Sequence, residues 1–249
     1  MKSNSWQKDM YDADFAESTL NSEPLRIKAL HEVDFILSKT HIHSGKILDV
    51  PCGTGRHSHL LAKRGFEVTG VDISEICLKI ARDNWGHKNV DYQFGDMNDL
   101  KTHHRKYDLV LNLFSSFGYF ATDAQNERVL RELKTCLKPD GTLVLNLINR
   151  TWLLSIYKEN DWLETPDKYI LNKRLYDPKT HYNEAWMKVI DKGSRAESTS
   201  YHRMRLYSKA EMVELLKRVG FKKIGVYGDA SGARFKEKES SHPFYFARA

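Results

Sequence analysis

The sequence predicts an α/β protein: a seven-stranded, mostly parallel sheet with helices on both faces, and an antiparallel β meander inserted late in the chain. Three observations lead there. Short β-forming runs alternate with helical periodicity over residues 1–150, the pattern of parallel strands joined by crossover helices. The run Lys46-Ile47-Leu48-Asp49-Val50 stops at a turn holding Gly53 and Gly55, and a helical pattern opens straight after it. From about 151 to 207 the periodicity changes to consecutive strand-like runs with short turns, which pair antiparallel.

The elements follow in order. Ser22 caps a helix that carries Leu25, Ala29, Val33 and Ile36 on one face, with Pro24 suited to its first turn. The first strand is 46–50, the next helix 56–64 with Gly65 as its stop, and the second strand 66–71. Ser74 is placed as the N-cap of another helix, and strands follow at 90–94 and 107–112. A long helix over 123–137 has Val129, Leu130, Leu133 and Leu137 at helical spacing, and the fifth strand is 142–148. The meander reads as three strands, 168–176, 181–190 and 197–207, with turn signals at Asp177-Pro178 and Lys192-Gly193. A helix over 208–219, capped by Ser208 and stopped by Gly220, returns the chain to closing strands at 221–227 and 243–247. Between them, 229–241 reads as the mobile loop. The main domain is thus 1–150 with 208–249, and the inserted subdomain is 151–207.

Composition narrows the class. The chain of 249 residues is 41% hydrophobic and 29% charged, the balance of a globular protein with a full sheet core. It has no apolar run of membrane length and no apolar signal core near its start, so no membrane association is expected. The three cysteines, Cys52, Cys77 and Cys136, show neither paired nor metal-ligand spacing, which fits a reduced cytoplasm. The net charge of +6 admits acidic partners, but the basic residues are scattered, and the densest cluster, 101–106, reads as a solvated loop. Nucleic acid is therefore not the expected partner. The eleven histidines include close pairs but no third convergent ligand, so no metal is expected.

The glycine turn carries the chemistry. Bare backbone at a strand-to-helix turn lets a nucleotide-like ligand approach closely, and an acid about 20 residues on is placed to accept from a ribose. Asp72 closes the second strand in that position. The third glycine of a dinucleotide fingerprint is replaced by Ser58, and no phosphate-cradling G-x-x-x-x-G-K-[ST] occurs. A further acid and a bulky apolar residue, Asp96-Met97, end the third strand, suited to accepting from an adenine amine and covering its ring.

With these residues in order, the chain resembles the class I S-adenosylmethionine (SAM) methyltransferases. Their glycine motif appears as 48–55, their ribose acid as Asp72, their adenine pair as Asp96-Met97, their fourth strand as 107–112, and the turn before their fifth strand as 137–141. The resemblance implies a Rossmann-like fold, SAM as cofactor and S-adenosylhomocysteine as product. It implies cofactor contacts from Asp49, Cys52, Gly53, Thr54, Gly55, Asp72, Ile73, Asp96, Met97, Asn112 and Leu113. Two positions depart from the pattern: Pro51 and Asp140 stand where many members have glycine. Pro51 has no N–H, so Cys52 to Gly55 are left to supply backbone contacts. The Pro-Cys-Gly variant resembles a small-molecule subgroup, and the segment 112–120 resembles small-molecule N-methyltransferases acting on amino sugars, some of which have His at the position of Tyr119.

Several residues carry two readings. Tyr119, in the aromatic segment after the fourth strand, is a substrate or catalytic residue, or part of a packed loop. In the family the aromatic N-terminal segment folds over the cofactor, which makes 1–23 a lid. That places Tyr11 as an active-site residue, while Trp6 and Phe15 read as a docking face. Arg26 is either a surface cation or the partner of the methionine carboxylate. On the insertion, Trp152 with Trp162, Tyr176 and Trp186 are candidate pocket walls, and His181 and His202 candidate substrate contacts or bases. The expected activity is in-line methyl transfer to a small molecule through nitrogen or oxygen, by a monomer or homodimer. A nucleic-acid or protein methyltransferase and a catalytically silent SAM-binding regulator are the competing readings.

Overall fold

The computed structural model describes residues 22–249. Helix α1 (Glu23–Thr40) leads into β1 (Lys46–Asp49), α2 (Arg56–Lys63), β2 (Glu67–Asp72), α3 (Glu75–Trp85), β3 (Val90–Phe94) and β4 (Tyr107–Asn112). Then come α4 (Asp123–Cys136), β5 (Leu137–Asn146), a short α5 (Arg150–Ser155) and four strands, β6 (Asn160–Glu164), β7 (Lys168–Tyr176), β8 (Tyr182–Asp191) and β9 (Glu197–Arg205). Helix α6 (Lys209–Val219), β10 (Lys222–Tyr227) and β11 (Phe244–Arg248) close the chain.

The main sheet has seven strands in the order β10-β11-β5-β4-β1-β2-β3. Strands β1 to β5 are parallel, and β11 runs antiparallel to both β5 and β10. Two apolar layers sandwich it. Val33, Phe35 and Ile36 of α1 and Leu61 of α2 pack on one face with Ile47, Leu109 and Leu111. Leu130 and Leu133 of α4 and Leu216 of α6 pack on the other with Leu48, Val110 and Leu143. The helix ends follow their capping residues. The Ser74 hydroxyl accepts from the Cys77 N–H, and Thr122 and Ser208 each form a reciprocal capping box. Gly220 ends α6 at φ +93°.

The inserted region differs from the sequence expectation in two places. It holds four antiparallel strands, β6-β7-β8-β9, and begins with α5. The short strand β6 escaped because its residues are polar apart from Trp162 and Leu163, both of which the fold leaves exposed. The fifth strand also begins earlier than expected, but its ladder with β4 jumps from Leu137 to Thr142. Asp140 takes φ +63° within that jump, a conformation aspartate tolerates better than most residues, so the departure from glycine is accommodated. The 229–241 stretch, expected as the mobile loop, is tied down: Asn149 Nδ2 donates to the carbonyls of Glu237 (2.7 Å) and Ser240 (3.0 Å).

The meander docks on the loop that follows β4. Arg205 N–H donates to the Gly118 carbonyl (2.8 Å), and the Tyr182 hydroxyl donates to the Phe120 carbonyl (2.8 Å). Gly118 sits at φ +108°, and a Cβ there would stand 2.6 Å from the Arg205 carbonyl oxygen. Gly118→Ala combines a strained backbone with an overpacked contact and is expected to cost about 2–4 kcal/mol. Denaturant unfolding checks this, and a midpoint equal to wild type would contradict the docking.

Candidate active site

A cleft opens beyond the carboxyl ends of β1 to β4, where ligands of open α/β sheets bind. The motif residues converge on it because their strands are neighbours. Asp72 is its electrostatic centre. One carboxylate oxygen accepts the Gly53 N–H and the other the Ser74 N–H, each at 2.8 Å. Burial is the largest influence on this group and lifts its pKa to about 6, against the two N–H bonds that favour the anion. The folded pKa is raised above the ordinary value of 3.8. Asp72 therefore contributes stability in its protonated form and loses that contribution as pH rises through about 6. A ligand whose hydroxyls donate to the carboxylate offsets the cost of holding the anion there.

The turn itself is built by internal bonds. Cys52 N–H donates to the Val71 carbonyl (2.9 Å), and Gly55 N–H to the Cys52 carbonyl (3.0 Å). With Gly53 N–H on Asp72, three of the four N–H groups expected to serve a cofactor already have partners. What the turn offers is its bare surface: a Cβ on Gly53, at φ +54°, would meet nothing within 4 Å. Gly55 is needed for a different reason. Its Cβ would stand 2.5 Å from the Tyr92 hydroxyl and 2.9 Å from Ala81 Cβ, so Gly55 packs α2 and α3 together. Neither Gly55 nor Thr54 lines the cleft, and Thr54 is fully buried with its hydroxyl unpaired. Ser58, in the third-glycine position, donates to Asp49 Oδ2 (2.6 Å), and burial raises the Asp49 pKa.

Ile73, Asp96, Met97 and Leu113 line the cleft as expected, and Asp96 Oδ1 accepts the Asn98 N–H (2.8 Å). Asn112 stands behind the wall instead. Its Nδ2 donates to the Val50 carbonyl (2.8 Å) and lies 3.7 Å from Met97 Sδ, fixing both, while its buried Oδ1 has no partner. Tyr119 lines the cleft, and burial lifts its phenol to about 12, so it stays protonated. The His202 ring of β9 lies 6.2 Å away, centroid to centroid, with its pKa lowered by burial and then by Arg174. Tyr119 and His202 are thus brought together from separate sheets.

Other candidates fall elsewhere. His181 Nδ1 is paired with the Tyr176 hydroxyl (2.6 Å), Trp152 lies 6.1 Å from the His242 ring, and Arg26 stands 6.0 Å over Trp85. None of the three lines the cleft. Tyr11, Trp6, Phe15 and most of the expected lid lie outside the described residues. Other wall residues were not anticipated, Arg56 and His57 among them. Both stand at the start of α2, and His57 Nε2 is 2.7 Å from Glu32 Oε2 of α1. Burial opposes ionisation of Glu32, but the His57 bond and charge outweigh it and lower its pKa. Only the close spacing of Arg56 and His57 to the turn pointed their way. Among the described residues no three His, Cys, Asp or Glu side chains converge on a metal-sized site, and no helix is long and apolar enough to cross a membrane.

Comparison with known proteins agrees with this geometry. Residues 47–141 match the family model described as a methyltransferase domain. The glycine/sarcosine N-methyltransferase of Halorhodospira halochloris is 26% identical over 208 residues, covering 81% of this chain and 75% of that enzyme. The ubiquinone biosynthesis O-methyltransferase of Coxiella burnetii is 27% identical over 139 residues, 53% of this chain and 58% of that enzyme, so the match spans little more than half of that relative. The CcbJ methyltransferase from Streptomyces caelestis shares the fold with a TM-score of 0.80 at 20% identity, covering 96% of this chain and 99% of that one. The SAM-bound amino pentose methyltransferase CalS10 from Micromonospora echinaspora gives 0.68 at 20% identity, covering 96% and 97%. The fold, the acid-bearing strand ends and the matched segment define a Rossmann-like methyltransferase. Residues 47–141 of the protein are thus a methyltransferase domain, and an S-adenosylmethionine-dependent methyltransferase from Clostridium acetobutylicum shares its fold.

Asp72→Ala is expected to weaken S-adenosylhomocysteine binding about 10- to 100-fold, the value of a hydrogen bond to a charged group. Wild-type affinity is expected to fall as pH is lowered through about 6, because protonation removes an acceptor. Titration calorimetry on either side of that value checks both, and a pH-independent wild type would contradict the assignment.

Proposed function

We propose that the protein methylates a small molecule, at an amine nitrogen in preference to oxygen, with residues 1–150 and 208–249 holding the cofactor and 151–207 facing the acceptor. The observation that carries this is the ring contact between Tyr119, on the cleft wall, and His202 of the inserted sheet, which stands behind it outside the cleft lining. Bound SAM supplies an electrophilic methyl on a sulfonium, so the protein needs no nucleophile of its own. Asp72 holds the ribose, and Asp96 with Met97 holds the adenine. Gly53 lets the cofactor lie flat on the turn. Tyr119, kept as a phenol, orients the acceptor by donating to it. His202, neutral at physiological pH because its pKa is lowered, takes the proton that an amine sheds. An alcohol would need a stronger base than this imidazole.

The relatives support the amine reading, since one acts on glycine and sarcosine and one structural neighbour on an amino pentose. Among the described residues all three cysteines are free and buried, which favours a cytoplasmic setting. A monomer or homodimer fits this role equally.

Two measurements test the reading. Methyl-labelled SAM incubated with separate pools of small amines, hydroxyl compounds and RNA is expected to label the amine pool, and label confined to RNA would overturn the proposal. His202→Ala is expected to lower kcat on the amine acceptor about 100-fold, the scale of a general base, while S-adenosylhomocysteine affinity stays within about twofold. An unchanged kcat would remove His202 from the reaction.

A further inference from the structure

Four charged side chains meet where the inserted sheet is rooted on the main domain, away from the cleft lining. Arg205, the last residue of β9 and 8% exposed, sends Nη2 to Glu211 Oε1 of α6 (2.9 Å) and Nη1 to the Leu206 carbonyl. Its Nε lies 3.2 Å from Asp123 Oδ1 at the start of α4. Glu211 is shared: Arg150, the first residue of α5, approaches its Oε2 at 2.7 Å, and the Ser208 N–H donates to the same oxygen at 2.8 Å. Burial opposes the Glu211 anion, yet the bonds from Ser208 and the two guanidiniums outweigh it and hold its pKa at about 2. The cluster therefore stays charged well below neutral pH.

A buried ion cluster is a poor source of stability, because desolvating the charges costs about as much as pairing them returns. Its use lies in the arrangement it fixes, here that of β9 against the Tyr119 segment. Arg205 pairs in register with Tyr182 of β8, and these two residues grip the chain on either side of Tyr119. The Arg205 N–H donates to the Gly118 carbonyl and the Tyr182 hydroxyl to the Phe120 carbonyl, each at 2.8 Å. His202 lies three residues back along β9, with its ring 6.2 Å from that of Tyr119. Arg205 thus joins two things: its backbone meets the loop, and its side chain meets α4 and α6.

We propose that the Arg205–Glu211–Arg150 clamp positions β9, and with it His202, behind Tyr119, and so sets the rate of methyl transfer without touching cofactor or acceptor. This rests on the reading of His202 as the base and names the group that holds it in place. The Tyr119 segment is anchored independently on the main domain, through Ser115 on Asn146 and Phe120 on Asn126. Releasing the Arg205 side chain therefore shifts His202 relative to a loop that keeps its own anchors, and a misplacement of about 1 Å can cost about 100-fold in rate. The strand ends that face the cofactor belong to the main sheet, and none of Arg205, Glu211 and Arg150 lines the cleft. Cofactor binding is outside the reach of the clamp.

The test is a double-mutant cycle on Arg205 and His202, read as the rate of transfer from methyl-labelled SAM to the small-amine pool and as calorimetric binding of S-adenosylhomocysteine. Arg205→Gln leaves Glu211 paired with Arg150. It is expected to lower the rate about 10- to 100-fold while S-adenosylhomocysteine affinity stays within about twofold. Arg205→Lys, which keeps the charge but not the fork, is expected to recover part of that loss. In the His202→Ala background, Arg205→Gln is expected to change the rate within about twofold, since the base it places is gone. Should Arg205→Gln fail to fold, Glu211→Gln, which preserves the capping box of α6, takes its place in the cycle with the same expectations. An unchanged rate in Arg205→Gln, with His202→Ala slowed, overturns the clamp alone. So does an equal loss in both backgrounds, or a loss of S-adenosylhomocysteine binding, either of which would make Arg205 a part of the general fold. An unchanged rate in His202→Ala overturns the base reading and this assignment together.

Discussion

The Asp72 carboxylate, caught between the Gly53 and Ser74 N–H groups, ties three pieces of chain to one point: the end of β2, the glycine turn and the start of α3. It is nearly buried, so the fold bears the cost of an anion there in return for a turn of defined shape. The neighbouring bonds extend the same logic. Cys52 N–H continues the β1–β2 pairing into the turn through Val71, and Ser58 satisfies the buried Asp49 from the first turn of α2. Gly53 can then present its backbone to the cleft because the acid behind it keeps the loop from collapsing onto the strands.

Much of this was legible in the sequence because the constraints are local. Apolar runs of strand length, the capping residues Ser74 and Ser208 and the stop at Gly220 each specify a few adjacent residues, and the structure places them where those signals fall. Asp72, Asp96 and Met97 were legible because strand ends in a parallel sheet share one edge. What could not be read depends on partners distant in sequence or on burial. Glu32 and His57 meet across two helices. Asn112 looked like a cleft residue, yet its amide is spent on Val50 and Met97 behind the wall. Gly55 and Thr54 lie in the motif but not in the cleft, since a turn must pack on one side to be open on the other. Strand β6 was invisible because an exposed polar strand has no alternation to detect.

The two sheets meet where the chemistry is proposed. The loop after β4 receives the Arg205 N–H on Gly118 and the Tyr182 hydroxyl on Phe120, and Tyr119 lies between these two attachment points. The segment carrying Tyr119 is therefore held from both sides, by the inserted sheet and, through Ser115 on Asn146 and Phe120 on Asn126, by the main domain. Burial favours the protonated phenol of Tyr119 and the neutral imidazole of His202, the pair on which the proposed amine methylation rests.

The account's central claim is that the strand ends order the cofactor across the sheet. The crystal structure of the S-adenosylhomocysteine complex tests it most directly. The account predicts adenine against Asp96 and Met97, ribose hydroxyls on Asp72 and the sulfur over the turn toward Tyr119. A ligand lying in the opposite direction, or bound outside this cleft, would contradict it.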